Sequence, residues 1–318
     1  MNNDNQITLG EGDTPLIPVK NIGSLLGMDR LFLKNEAGNP TASFKARGLS
    51  VALAKAIELG LDSFALSTAG NAGGALAAYA ARAGVSAHIY MPKSSPQSNR
   101  NEVIDFGAHL HLVDGTIQQA ARIATEDCLK NGWFNLATFR EPYRVEGKKT
   151  IGFELAEQFD WELPDWIIYP TGGGTGLVGM WKAFNELTEL GWIPPKKPKF
   201  AVIQASGCAP IVKAFRENQA QTVDWLTPST VATGLNIPSV YAGRLLLKIL
   251  SDTQSISMDV NDEDILSSQA LLGKSEGILA SPEGAASLAG LEKLLKLDMI
   301  KHHEIVVLFN TASGLKYF

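Results

Sequence analysis

Strand and helix signals alternate through most of this chain, and that alternation restricts the fold more than any other feature of the sequence. A helical pattern over 44–59, with Ala46, Leu49, Val51, Leu53, Ala54 and Ile57 as its apolar positions, stops at Gly60. The apolar run Phe64-Ala65-Leu66 reads as a strand, and 71–83 as an alanine-rich helix closed by Gly84. A strand over 87–91, a helix over 97–106 closed by Gly107, a strand over 109–113 and a helix over 116–131 closed by Gly132 extend the series. Helices of about 10–15 residues between short apolar strands indicate βαβ units on a parallel sheet, so the expected class is α/β.

A second series follows. After the loop 138–144 the pattern is helical through 150–156, with strands expected at 166–169, 200–204 and 305–309. Ahead of everything lies a turn-rich lead-in over 8–18 and a short strand at Leu31-Phe32-Leu33-Lys34. The break near 150 predicts two domains: a smaller one over 36–150, and a larger one formed by 1–35 plus 151–318. The 318 residues, 45% of them hydrophobic, suffice for both cores. The irregular stretch 218–243 suits an active-site wall or lid.

Charge and cysteine usage narrow the function. Lys and Arg number 28 against 33 Asp and Glu, a net charge of −5, and the one basic run, Pro194-Pro195-Lys196-Lys197-Pro198-Lys199, reads as a solvated loop. No nucleic-acid partner is expected. Cys128 and Cys208 are too few for a disulfide framework and lack zinc spacing, which fits a reducing compartment, the cytoplasm by default. The opening Met1-Asn2-Asn3-Asp4-Asn5-Gln6 has neither a basic nor an apolar leader segment, and no apolar run approaches the ~18 residues of a membrane span. Neither secretion nor membrane insertion is expected.

Lys45 is the best nucleophile candidate. It falls in the first turn of the 44–59 helix, after the expected N-cap Ser43, where a cation opposes the helix dipole. Desolvation among apolar neighbours favours its neutral, nucleophilic form. Three loops then join strand ends to chemistry-bearing residues. Pro170-Thr171-Gly172-Gly173-Gly174-Thr175-Gly176 follows a strand and opens a helix over 177–190, so its backbone N–H groups suit a phosphate; a tight turn without a ligand uses the same residues. Gly174, Gly176 and Gly179 also satisfy a dinucleotide fingerprint, but the next strand ends in Gln204-Ala205-Ser206 where a ribose-binding acid is needed, so a monophosphate fits better.

Ser67-Thr68-Ala69-Gly70-Asn71-Ala72-Gly73-Gly74 is the second loop, able to admit a carboxylate or ring, with Asn71 either an amide donor or a helix cap. Asn310-Thr311-Ala312-Ser313-Gly314 is the third, with hydroxyls at a strand's carboxyl end. The histidines His88, His109, His111, His302 and His303 show no HExxH or triad context; His109 and His111 share a strand face and read as packing, so no metal site is expected.

TASFKARG, STAGNAGG, PTGGGTG and NTASG, in that order, resemble the fold-type II pyridoxal-phosphate enzymes, and within them threonine synthase, over nearly the whole chain. The resemblance implies two three-layer αβα domains with mainly parallel sheets and pyridoxal 5'-phosphate in the cleft between them, the smaller domain carrying the Schiff-base lysine and the larger the phosphate loop. It implies that Lys45 forms the Schiff base and moves the Cα proton, with Phe44 beside the ring. Asn71 is implied as donor to the 3'-oxygen, Gly172, Gly173, Gly174, Thr175 and Gly176 as phosphate cradle, and Thr311 or Ser313 as partner of the pyridine nitrogen. Thr68 and Ala69 fall in the substrate loop.

Pro142-Tyr143-Arg144-Val145-Glu146-Gly147-Lys148-Lys149-Thr150 resembles the threonine synthase Asn-Pro-x-Arg-x-Glu-Gly-Gln-Lys-Thr segment, which implies that Arg144 grips the phosphate of O-phosphohomoserine. Implied with it are a carbon–oxygen lyase of threonine biosynthesis, a small phosphorylated or hydroxylated amino-acid substrate and a homodimer. Glu141 stands where that family has Asn, Ala69, Ala72 and Gly73 stand where it has Thr or Ser, and Tyr317 follows Lys316 where it has Asp. These departures lean toward serine/threonine dehydratases, which release a 2-keto acid and ammonia. A non-catalytic regulator on the same fold is the third reading.

Overall fold

In the computed structural model, which describes residues 6–317, the strand–helix alternation is shared between two sheets. The leader reading of residues 1–5 lies outside the described residues. By its internal contacts the chain forms a smaller unit, comprising the described residues up to Gly12, Asn39–Lys148 and those from Lys316 on, and a larger unit of Asp13–Gly38 and Lys149–Leu315.

Three elements of the larger unit come first: β1 (Leu16–Pro18), α1 (Lys20–Leu26) and β2 (Leu31–Asn35). The smaller unit follows as α2 (Lys45–Glu58), β3 (Ser63–Ser67), α3 (Asn71–Ala83), β4 (Ser86–Pro92), α4 (Gln97–Asp105), β5 (His109–Val113), α5 (Ile117–Asn131) and β6 (Phe134–Asn135), and then the first residues of α6 (Tyr143–Gln158). Its strands are all parallel, in the order β5-β4-β3-β6. Strand alternation sends Phe64 and Leu66 to one face, where they meet Leu49, Leu53, Leu76 and Val103 of α2, α3 and α4. Ala65 and Tyr90 face the other side, against Ala120, Ala124 and Cys128 of α5. The sheet is thus the middle of three layers.

The larger unit resumes with β7 (Trp166–Pro170), α7 (Thr175–Glu189), β8 (Lys199–Ala205), α8 (Pro210–Arg216), α9 (Gly243–Asp252), β9 (Ile256–Val260), α10 (Asp262–Glu276), α11 (Pro282–Lys296) and β10 (Val306–Asn310). Its order is β1-β2-β10-β7-β8-β9, parallel except for the edge strand β1. Leu33, Ile168, Ile203 and Leu308 form one core with α11, whose run from Pro282 through Leu291 is buried throughout. Small and apolar residues around most of its circumference suit it to the inside of a fold. Their strand neighbours Ile167, Val202 and Val307 are equally buried, on the face where α8 packs against β8 and β9.

Both sheets reverse direction once. In the smaller, the chain steps from β3 to β4 to β5 and comes back on the other side of β3 as β6; in the larger, β7 leads to β8 and β9, and β10 returns beside β7. Such reversals open a crevice at the strands' carboxyl ends, because the flanking loops turn opposite ways. The loops concerned follow β3 and β6 in one unit, β7 and β10 in the other.

Several local expectations change. Helix α2 starts at Lys45 with Phe44 as its N-cap, and Ser43 does not cap: it is extended at φ −157°, and its hydroxyl is buried without a partner among the described residues. Helix α6 begins at Tyr143, so Arg144 lies in a helical turn, and α7 begins at Thr175. The sequence reading also passed over α1, α8, α9, β9, α10 and α11.

Candidate active site

Lys45 is reached through a strained bend. Thr41 and Ala42 adopt φ of 58° and 48°, left-handed values that cost a non-glycine residue on the order of 1 kcal/mol each. The bend is fastened from outside, since Lys316 Nζ donates to the Thr41 carbonyl (2.9 Å) and pairs with Glu102 (2.6 Å). Burial pushes the Glu102 carboxyl up and the Lys316 ammonium down, and each partner's charge pulls the other back.

Lys45 opens α2 half-buried, its Nζ 4.6 Å from the Phe44 ring centroid. A second ammonium, that of fully buried Lys148, lies 3.6 Å from the same centroid and donates to the Phe44 carbonyl. Two glycines bring α6 this close. A Cβ on Gly147 would meet the Arg47 carbonyl oxygen at 2.1 Å, and one on Gly48 would meet the Arg144 carbonyl oxygen at 2.8 Å. Only hydrogen fits at this crossing.

In the loop after β3, the Thr68 hydroxyl accepts the Gly70 N–H (3.0 Å), and Ala69 is half-buried. Asn71 does not cap: it is the first residue of α3, its Nδ2 donates to the Tyr317 hydroxyl (3.2 Å), and its Oδ1 is buried without a partner among the described residues. Gly73 and Gly74 are packing residues, because a Cβ there would lie 2.5 Å from Met91 Cε and 1.9 Å from a Glu102 carboxylate oxygen. A hydroxyl side chain at 73 has no room.

The first turn of α6, which follows the loop after β6, carries Arg144, which is 2% exposed. Its Nη1 donates to the Leu136 carbonyl (2.9 Å) and to Thr138 Oγ1 (3.3 Å), while Nε is buried without a partner among the described residues. The Glu141 carboxylate accepts the backbone N–H groups of Tyr143 and Arg144, and so caps α6. Burial raises its pKa; the Arg144 charge and those two N–H groups oppose the rise.

In the larger unit, Gly172 to Gly174 lead from β7 into α7. The N–H groups of Thr175, Gly176 and Leu177 precede the first intrahelical bond, Val178 N–H to the Gly174 carbonyl (3.0 Å), and so have no acceptor within the helix. Gly174 takes φ 83°, and a Cβ on Gly172 would stand 2.5 Å from the Gly234 carbonyl oxygen, in the irregular stretch expected to form a wall. Gln204, at the position of a ribose-binding acid, bonds to the Thr171 carbonyl and the Ile211 N–H instead. Thr311, buried, is the first residue beyond β10, and the Ser313 hydroxyl accepts the Leu315 N–H (3.2 Å). Because β10 pairs with β7, Thr311 and the glycine loop leave neighbouring strands at the same end.

Within each unit the named residues therefore gather at the reversal: Lys45 with Phe44, and the loops of Thr68, Ala69, Asn71 and Arg144, in the smaller; Gly172, Gly173, Gly174, Thr175, Gly176, Thr311 and Ser313 in the larger. Lys148 and the Lys316–Glu102 pair were not singled out beforehand. Lys148 entered the sequence reading only as a member of the 142–150 segment. Among the described residues no group of three or more His, Cys, Asp or Glu side chains could hold a metal ion, and no helix is long and apolar enough to cross a membrane. His88 stacks on Trp133 and His109.

The family model described as pyridoxal-phosphate dependent enzyme matches residues 7–311. Threonine synthase of Methanocaldococcus jannaschii is 35% identical over 311 residues, 98% of this chain and 76% of that protein; threonine synthase of Bacillus sp. is 34% identical over 98% of this chain and 85% of its own. Among solved structures, the fungal L-serine ammonia-lyase of Rhizomucor miehei has TM-score 0.82 at 23% identity, covering 96% of both chains, and maize serine racemase TM-score 0.82 at 21% identity, covering 95% of this chain and 88% of that one. The residues present fit the cofactor: an amine in the first turn of α2, an Asn71 amide that commits one N–H among the described residues, and a glycine-lined helix start whose first N–H groups have no acceptor within the helix. With its parallel sheets and four loops, the chain belongs to the fold-type II pyridoxal-phosphate dependent enzymes.

Proposed function

We propose that this enzyme is a threonine synthase-like carbon–oxygen lyase that converts O-phosphohomoserine and water to threonine and phosphate, acting in the cytoplasm as a homodimer. The observation that carries the reading is the buried Arg144 guanidinium, which keeps Nε without a partner among the described residues while Glu141 is engaged by backbone N–H groups. A planar fork with an unmet donor suits a phosphate ester.

Pyridoxal phosphate supplies an electron sink for negative charge developing at the substrate's α-carbon. Lys45 would hold the cofactor and would also move the proton at that carbon. The N–H groups of Thr175, Gly176 and Leu177, reached over Gly172, Gly173 and Gly174, hold the cofactor's phosphate, and Asn71 donates to its 3'-oxygen. Phe44 covers the ring. Thr311 serves the pyridine nitrogen better than Ser313, whose hydroxyl is engaged in its own turn. A neutral hydroxyl leaves that nitrogen unprotonated, a weaker sink that suits elimination over transamination. Thr68 and Ala69 line the substrate loop.

A serine/threonine dehydratase is the second reading, favoured by the Glu141 charge beside Arg144 and by a substrate loop without hydroxyls at 69, 72 and 73. A substrate panel that follows inorganic phosphate, threonine and keto acid separately decides. Phosphate with threonine supports the synthase; keto acid without phosphate overturns it in favour of the dehydratase; no turnover and no visible cofactor absorbance leave the non-catalytic regulator.

A further inference from the structure

The last residues of the chain return to the smaller unit and fasten there at four points. Lys316 is buried, its ammonium bound to both Glu102 oxygens and to the Thr41 carbonyl, and its carbonyl accepts the Ser98 hydroxyl (2.6 Å). Tyr317, one residue on, takes an N–H of Asn71 on its hydroxyl oxygen (3.2 Å). Glu102 is itself locked in place, since its carboxylate fills the space over Gly74 on α3. The tail is thus held to α4, to the bend before Lys45 and to the first residue of α3.

We propose that Tyr317 is a positioning residue of the active site: by accepting one N–H of the Asn71 amide, it fixes the rotation of that amide so that the other N–H is presented to the cofactor. This rests on the reading that Asn71 donates to the cofactor's 3'-oxygen. An asparagine amide has two N–H bonds and one carbonyl, and the protein commits a single N–H; Oδ1 is buried without a partner among the described residues. A terminal amide torsion is broad when no partner restrains it, and here the restraint comes from Tyr317. Lys316 serves Tyr317 by anchoring the backbone that carries it.

The test is a double-mutant cycle on cofactor affinity, read from the visible absorbance of the holoenzyme on serial dilution. Asn71→Ala is expected to weaken binding about tenfold and Tyr317→Phe about threefold to tenfold, the worth of one hydrogen bond. Adding Tyr317→Phe to Asn71→Ala is expected to change nothing further, because the hydroxyl then has no amide to orient. A Tyr317→Phe protein with wild-type affinity beside a weakened Asn71→Ala overturns the inference and leaves the Asn71 reading standing; so do losses that simply multiply, which mark a structural role for the tail. Wild-type affinity in Asn71→Ala overturns the Asn71 reading, and the inference with it.

Discussion

Lys148 and Phe44 are joined twice: the Lys148 ammonium donates to the Phe44 carbonyl and sits 3.6 Å from the centroid of the Phe44 ring. Lys45, next in the chain, approaches the same ring at 4.6 Å. Two amines thus stand against one aromatic ring, and only one can carry the cofactor. Lys45, half-buried at the helix start, is the accessible one; Lys148 is fully buried with its ammonium held by a carbonyl. Borohydride reduction followed by peptide mapping is expected to find the cofactor on Lys45. Lys45→Ala abolishes the visible band and turnover, while Lys148→Met keeps the band but lowers stability by about 1–3 kcal/mol, because a buried carbonyl loses its donor. Label on residue 148 would reverse the assignment.

Gly147→Ala tests how α6 is placed. The added methyl would lie 2.1 Å from a backbone oxygen of Arg47, which cannot swing aside as a side chain does. The helices must separate, at a cost of about 1–3 kcal/mol read from urea unfolding. Arg144, three residues earlier on the same helix, moves with them, so if the synthase reading holds the KM for O-phosphohomoserine is expected to rise. An unchanged unfolding midpoint would show that the crossing tolerates a methyl.

The smaller unit was nearly legible from sequence because its helices carry their own punctuation: Gly84 and Gly132 end α3 and α5 at φ 68° and 73°, at the expected residues. The first three loops were legible for the same reason, each lying between an apolar run and a helical pattern, and the fourth because it follows the last apolar run. Strand β6, of two residues, is too short for a periodic signal. Helix α11 is buried on every side from Pro282 to Leu291, so its first turns lack the polar face that marks an amphipathic helix. What Glu141 does was not legible at all. In the sequence it reads only as a departure that leans toward the dehydratases, and whether a carboxylate turns toward a pocket or back onto its own helix depends on a rotamer that composition does not encode.

Glu141→Ala removes the α6 cap and is expected to cost about 1 kcal/mol in unfolding free energy. Glu141→Asn restores an N-cap residue without the charge. If the synthase reading holds, that variant keeps wild-type stability and lowers the KM for O-phosphohomoserine, since Arg144 no longer shares its field with a carboxylate. Arg144→Ala is expected to damage turnover of O-phosphohomoserine far more than that of serine or threonine. Equal losses on all three substrates would remove the phosphate role from Arg144.

Acid is expected to destabilise the smaller unit through His88. Its ring stacks on Trp133 at 3.5 Å and on His109 at 4.7 Å, and its nitrogens meet Ser86 (3.2 Å) and His111 (3.3 Å). Burial is the main cause that pushes its pKa from the usual 6.5 down to about 4; the neighbouring His109 and His111 add to it, and Asp127 opposes. Between those two values the unfolded chain binds a proton at residue 88 that the folded chain refuses, so stability is lost as pH falls through this window and is unaffected above it. His111 is shifted the same way by burial. Urea unfolding at neutral pH and at about pH 5 reads the effect. His88→Gln keeps polar bonding capacity but cannot titrate, so it is expected to lose less stability than wild type between the two conditions. Equal losses would place the acid sensitivity elsewhere in the unit.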